Sequence, residues 1–127
     1  MKIISLAAGA SLLLSTAAFA ADLGSELTNA QTHAGLAAKA GTVDMVHTHM
    51  QHALNCLAGP GGDGFDAKVM NPCAQAGGGA IPDASSPAQK TKLQAAAAQL
   101  KTGMTTTDMA AAQKIATDAS TAIAGAK

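Results

Sequence analysis

The chain has 127 residues, of which 48% are hydrophobic, 13% are charged and only 2% are aromatic. It has no arginine and no tryptophan, and its formal net charge is zero. Without arginine or a basic patch, the composition argues against phosphate clamping and nucleic-acid binding. Alanine supplies 32 residues, so a core must be built from Leu, Val, Ile, Met and much Ala, and the length suits one small domain.

The N-terminal segment has the pattern of a secretory signal peptide. Met1 and Lys2 give a short positive start, an apolar run follows over 3–14, and Ala18-Phe19-Ala20 reads as the motif before a cleavage point. The apolar run is too short for a transmembrane anchor. We therefore expect residues 1–20 to be removed, a mature protein that begins at Ala21 without a membrane span, and a periplasmic or secreted destination.

Apolar residues in the mature chain recur at spacings of three and four, which is typical of amphipathic helices. No alternating β-branched run is present, so strands are not predicted. Gly41 separates the first two helices and Gly103 separates the last two. These short connections make each pair antiparallel, and the predicted fold is an all-α antiparallel four-helix bundle, one domain over 21–127. The predicted helices cover about 23–40, 43–58, 87–102 and 106–124, and a long Gly/Pro-rich loop covers 59–85.

Capping residues support these helix starts. Thr42 suits the N-cap of the second helix, and Ser86 with Gln89 makes a capping box before the third. The run from Thr105 to Asp108 resembles a second capping box. Within the loop, we interpret Phe65 as an apolar anchor that pins the loop to the bundle.

All four histidines lie in the first predicted hairpin. At 100° per residue, His49 and His52 share one stripe of the second helix with Met45 and Cys56. His47 falls at the far edge of the helix and is predicted to be solvated. The polar face of the same helix is predicted to comprise Thr48, Gln51 and Asn55.

His33 joins this stripe through the hairpin. It lies eight residues before Gly41 and His49 lies eight after it, so the two stand at the same height, with His52 one turn further. Three imidazoles can then converge between the helices and bind a transition metal, copper or zinc. The thioethers of Met45 and Met50 are close enough to take part and favour Cu(I).

The sequence leaves two alternatives to this transition-metal site open and excludes a third. The histidines can be structural residues of the bundle without a metal. Non-covalent haem is possible but less favoured, because aromatics are scarce and no arginine is present for the propionates. A di-iron carboxylate centre is excluded, since Glu26 is the only glutamate.

The two cysteines, Cys56 and Cys73, predict one disulfide in an exported chain. It would tie the end of the second helix to the loop. The competing interpretation makes Cys56 a thiolate ligand beside the histidine stripe.

No nucleophile motif is present, so an enzyme is not predicted. The function predicted is sequestration or delivery of a metal ion, copper most of all, by His33, His49 and His52, with Met45 as an additional candidate ligand. The rival is a metal-free structural or interaction protein whose disulfide-held loop contacts a protein partner.

Overall fold

The computed structural model describes residues 20–127, so the predicted signal peptide lies outside the described residues apart from Ala20. The described range contains four helices and no strand, which confirms the predicted four-helix bundle. No helix in this range is both long enough and apolar enough to cross a membrane. The helices are α1 (Leu23–Ala37), α2 (Val43–Ala58), α3 (Pro87–Gly103) and α4 (Met109–Ala124).

Each helix begins at a side chain that accepts a hydrogen bond from its first turn. Thr42 caps α2 and Ser86 caps α3, as the sequence indicates. The capping box proposed from Thr105 is wrong. Asp108 itself is the N-cap of α4 and accepts from the Ala111 amide at 2.7 Å, so the helix begins three residues later than predicted.

The helices pack as a ring in which α1 contacts α2 and α4, and α3 contacts α4 and α2. Alanine dominates the buried faces of α1 and α4, which lets these two backbones approach closely. Larger side chains fill the space beside α2 and α3. The fully buried ones in these two helices include Val46, Met50, Leu54, Leu57, Leu93 and Leu100.

The long loop is held against the end of α2. Its backbone amides at Ala80 and Ile81 donate to the carbonyls of Cys56 and Leu57, at 3.0 and 2.8 Å. These carbonyls belong to the last turn of α2, where no intrahelical donor remains. The loop therefore caps the C-terminal end of the helix. Phe65 is half-buried and packs against the core.

Asn55 organises the first half of this loop. Its amide group donates to the carbonyls of Asp66, Val69 and Met70, and its oxygen accepts from the Asp66 amide at 2.9 Å. The sequence analysis assigned Asn55 to the polar face of α2, but its side chain is fully buried. The loop itself covers this face of α2.

The predicted disulfide is present. Cys56 in the last turn of α2 is bonded to Cys73, with their Cα atoms 5.1 Å apart. The bond fixes the middle of the loop to the bundle. Because Cys56 is bonded in this way, it offers no thiolate to a metal.

Candidate metal centre

The first helical hairpin brings three histidines together. α1 ends at Ala37 and α2 begins at Val43, so the two helices run antiparallel through a short turn. His33 lies on α1, one turn before its end. His49 and His52 lie on α2 at i and i+3, which places both on the side of the helix that faces α1.

The three rings surround one point. The ligand nitrogens of His33, His49 and His52 all lie within 4.8 Å of one another. The Nδ1 atoms of His33 and His49 are 3.4 Å apart. Two imidazole nitrogens bound to one tetrahedral ion, each about 2.1 Å from it, are separated by about 3.4 Å. The His33–His49 pair therefore already has the spacing of two ligands on one ion.

The His52 ring is oriented differently from the rings of His33 and His49. The His52 ring stands nearly perpendicular to both others, at 88° to His33 and 81° to His49. Its centroid is 5.0 Å from that of His33 and 5.6 Å from that of His49. The rings are not stacked face to face, so their edges and nitrogens meet around the shared point.

Burial and mutual repulsion favour the neutral forms of His33 and His52. Desolvation lowers the pKa of His33, and the neighbouring His52 and His49 rings lower it further. Desolvation also lowers the pKa of His52, followed by repulsion from His49. Neutral imidazole is the form that binds a metal ion, so the fold holds these ligands in the competent state.

His52 carries an unsatisfied polar atom. The side chain is only 9% exposed, and its Nδ1 is buried with no hydrogen-bond partner among the described residues. A buried polar atom without a partner is costly, and such exceptions in folded proteins call for an explanation. An ion among the three rings is one that fits this donor set.

The two methionines considered as additional ligands lie in different surroundings. Met50 is fully buried, and its thioether lies where a side chain at Gly103 would be, so it packs against α3. Met45 is 51% exposed and precedes His49 by one turn, on the side of the hairpin turn.

His47 also departs from its prediction. It is half-buried, and its Nε2 lies 2.9 Å from the carbonyl oxygen of Thr106, between α3 and α4. His47 is thus a link between the two hairpins and lies outside the triad. Its helical phase correctly separated it from the other three, but the phase alone did not reveal the partner.

Glu26 is a buried group that the sequence reasoning missed. It lies in the first turn of α1, is 0% exposed, and accepts a hydrogen bond from the Gly79 amide at 2.8 Å. The signal available was its position at i+3 and i−4 relative to Leu23 and Ala30, on the apolar side of α1. Gly79, which belongs to the triglycine run over 77–79, lies 53 residues after Glu26 in the chain.

The three imidazole ligands limit which metal ions the site can bind. Three imidazoles without an accompanying carboxylate suit Zn, Cu, Fe or Ni and do not suit Mg or Ca. In the described range, this triad is the only group of three or more His, Cys, Asp or Glu side chains that can hold a metal ion. A three-histidine set also leaves a coordination position for water or another ligand.

Comparisons with known proteins bring no further assignment, since no family, no curated protein and no solved structure matches this chain. The function is therefore argued from the geometry of the triad.

Proposed function

We propose that this is an exported protein that binds one transition-metal ion on His33, His49 and His52 and sequesters or delivers it. The observation that carries the proposal is the convergence of three ligand nitrogens within 4.8 Å of one another. They come from two helices of a disulfide-held bundle, so the ligands are positioned before the ion arrives. Export is supported by the signal-peptide pattern of residues 1–20.

Copper is the ion we favour. An imidazole site binds Cu(II) more tightly than the other divalent first-row ions. Met45 adds a thioether one turn before His49, half exposed and unconstrained by the core. Thioether ligands select Cu(I). A site that combines three imidazoles with a mobile Met side chain suits an ion that is picked up and passed on.

The decisive experiment is a metal titration of the mature protein with each histidine replaced in turn. The wild type is expected to bind one copper per chain by calorimetry and elemental analysis. His33→Ala, His49→Ala and His52→Ala each remove a ligand and weaken binding by about 10- to 100-fold or more. Met45→Leu weakens Cu(I) binding with little effect on Cu(II).

The matched control is His47→Ala. It removes an imidazole from the same helix but only breaks the contact to the Thr106 carbonyl, so copper affinity stays close to that of the wild type. Equal losses from all four substitutions would instead indicate a loose surface cluster. Failure of the wild type to bind copper or zinc would refute the proposal and favour the metal-free interaction protein, and a Soret band would indicate haem.

A further inference from the structure

Glu26 is the centre of a second group of titratable side chains, separate from the histidine triad. The carboxylate is fully buried, and while Oε1 accepts from Gly79, Oε2 has no hydrogen-bond partner among the described residues. A buried carboxylate with an unpaired oxygen is destabilising unless a donor or a cation reaches it.

The carboxyl groups around Glu26 destabilise its charged form further. Asp83, from the end of the loop, lies on the same side of Gly77 as Glu26. A Cβ built on Gly77 would be 2.7 Å from Glu26 Oε1 and 2.5 Å from Asp83 Oδ2. Asp22 adds a third carboxyl at the N-cap of α1, where it is engaged with Ser25. Burial, then Asp83 and Asp22, raise the pKa of Glu26 to about 7 against the lowering effect of the Gly79 amide.

Neither salt bridge of the described residues involves Asp22, Glu26 or Asp83. The cluster formed by these three acids therefore lacks a cation partner in the described part of the chain. Backbone amides reach two of them, since Gly79 donates to Glu26 and Gly78 donates to Asp83 Oδ2 at 2.7 Å.

Ala21 lies beside the carboxylates of Glu26 and Asp83. Its Cβ is 3.2 Å from the point where a Gly77 side chain would begin, next to both carboxylate oxygens. The following residue is fixed, because the Asp22 amide donates to the Ala76 carbonyl at 2.7 Å. Rotation about the Cα–C bond of Ala21 would bring its nitrogen to the place that its Cβ occupies, beside the carboxylates, without moving Asp22. In the uncut chain that nitrogen is an uncharged amide joined to Ala20.

We propose that cleavage between Ala20 and Ala21 creates the missing cation: the new α-ammonium group of Ala21 pairs with the carboxylates of Glu26 and Asp83. A signal peptidase hydrolyses the Ala20–Ala21 peptide bond with one water molecule. The hydroxyl goes to the Ala20 carbonyl carbon and the hydrogen to the Ala21 nitrogen. The proton of the new carboxylic acid then moves to the amine, which leaves a carboxylate and an ammonium group.

The chemistry suits the site. An α-amino group has an ordinary pKa of about 7.7–8.0, and neighbouring carboxylates favour its charged form. Pairing places a cation beside the Glu26 carboxylate and links the start of α1 to the triglycine run. Processing would then act on the fold, so that the bundle reaches its full stability only after the signal peptide has been removed. The inference rests on the proposed export and is independent of metal binding.

The test compares two chains, one beginning at Ala21 and one beginning at Thr16, which carries five residues ahead of Ala21 and so displaces the amine. We expect the Ala21 chain to have the higher Tm by several degrees at neutral pH. The advantage disappears in strongly alkaline buffer, where the amine loses its proton. It persists in Asp44→Asn, a matched control that removes an exposed acid at the start of α2.

Glu26→Gln is the more informative variant because we expect it to change the Tm in opposite directions in the two chains. In the Thr16 chain it removes an uncompensated buried acid and raises the Tm. In the Ala21 chain it removes half of an ion pair and lowers the Tm. In the combined Glu26→Gln, Asp83→Asn variant the two chains melt together.

Three results would overturn the inference. The first is an equal Tm for the two chains at neutral pH. The second is a Tm difference that survives in the combined Glu26→Gln, Asp83→Asn variant. The third is a different first residue on N-terminal sequencing of the exported protein. Copper titration of the same chains reports on the triad alone, so a failure here and a failure of the proposed metal binding are distinguished.

Discussion

If His52 binds the proposed ion, its buried ring destabilises the fold when the ion is absent. Its Nδ1 is buried without a hydrogen-bond partner, and such an atom destabilises a fold by roughly 1–3 kcal/mol. We predict that His52→Leu raises the stability of the metal-free protein by about 1 kcal/mol, a Tm increase of roughly 4–8 °C. The same variant loses the stabilisation by copper. Thermal melts with and without copper test both statements, and a lower Tm without metal would contradict the first.

The lowered pKa values of His33 and His52 bear on the pH range expected for metal binding. Each ligand must be neutral, and a free histidine is half protonated at about pH 6.5. Because burial and mutual repulsion lower the pKa of His33 and His52, protonation of these two rings competes with the metal only at more acid pH. We predict that copper affinity falls as the pH drops below about 6.5 and is lower by more than about tenfold at pH 5.

Calorimetric titration over this range measures the profile, and His47→Ala, which leaves the triad intact, is expected to give the same curve. An affinity that is unchanged at acid pH would mean that the ligands are not imidazoles.

Residue spacing was sufficient to predict the triad but not its surroundings. His33, His49 and His52 follow from helix periodicity and from the equal distances to Gly41, both of which are local. The partners of His47 and Asn55 depend on how the second hairpin and the loop pack onto α2. Periodicity within one helix carries no information about such contacts, so it predicted a solvated His47 and did not reveal the burial of Asn55.

At the level of secondary-structure elements, the disulfide and Asn55 are two contacts of the loop over 59–85 that can be removed separately. The disulfide joins residues 17 positions apart, and closing a loop of that length contributes about 3 kcal/mol in the chain-entropy model. We predict that the Cys56→Ala, Cys73→Ala variant loses about that amount in denaturant unfolding while it keeps one copper site. Loss of copper binding in the variant would instead revive Cys56 as a ligand.

Asn55 is expected to matter as much as the disulfide. Asn55→Ala removes the acceptor of the Asp66 amide and the donor to three loop carbonyls. We predict a loss of about 2–4 kcal/mol in the free energy of unfolding and faster proteolysis within 60–70, even with the disulfide intact. Thr48→Ala, on an exposed part of the same helix, is the control. Unchanged protease resistance in Asn55→Ala would show that the disulfide alone orders the loop.

The helix boundaries show the same difference between features that nearby residues determine and features that depend on other segments. Thr42 and Ser86 cap their helices through hydrogen bonds that span three residues, and the sequence was sufficient to predict them. For α4, two capping patterns compete over 105–108. The structure selects Asp108, because the preceding residues complete the turn from α3, where the amides of Thr105 and Thr106 donate to Thr102 and Gly103.

For the whole molecule, the candidate metal site lies within only one of the two hairpins, and this determines the response expected on binding. The ligands belong to α1 and α2, whereas α3 and α4 carry none of them. The packing of α1 on α4 and of α2 on α3 links the hairpins into one bundle. A ligand that binds only the folded bundle stabilises it by about 2.7 kcal/mol at a concentration 100 times its Kd.

We therefore predict two distinct effects of copper on amide hydrogen exchange. Amides that exchange only through global unfolding slow equally in all four helices, because binding stabilises the folded state as a whole. Amides that exchange through local opening slow only in α1 and α2, around the site itself. Exchange measured by NMR with and without copper separates the two groups, and His47→Ala is expected to preserve both effects while His33→Ala abolishes both. Slowing confined to α3 and α4 would place the ion elsewhere and contradict the triad.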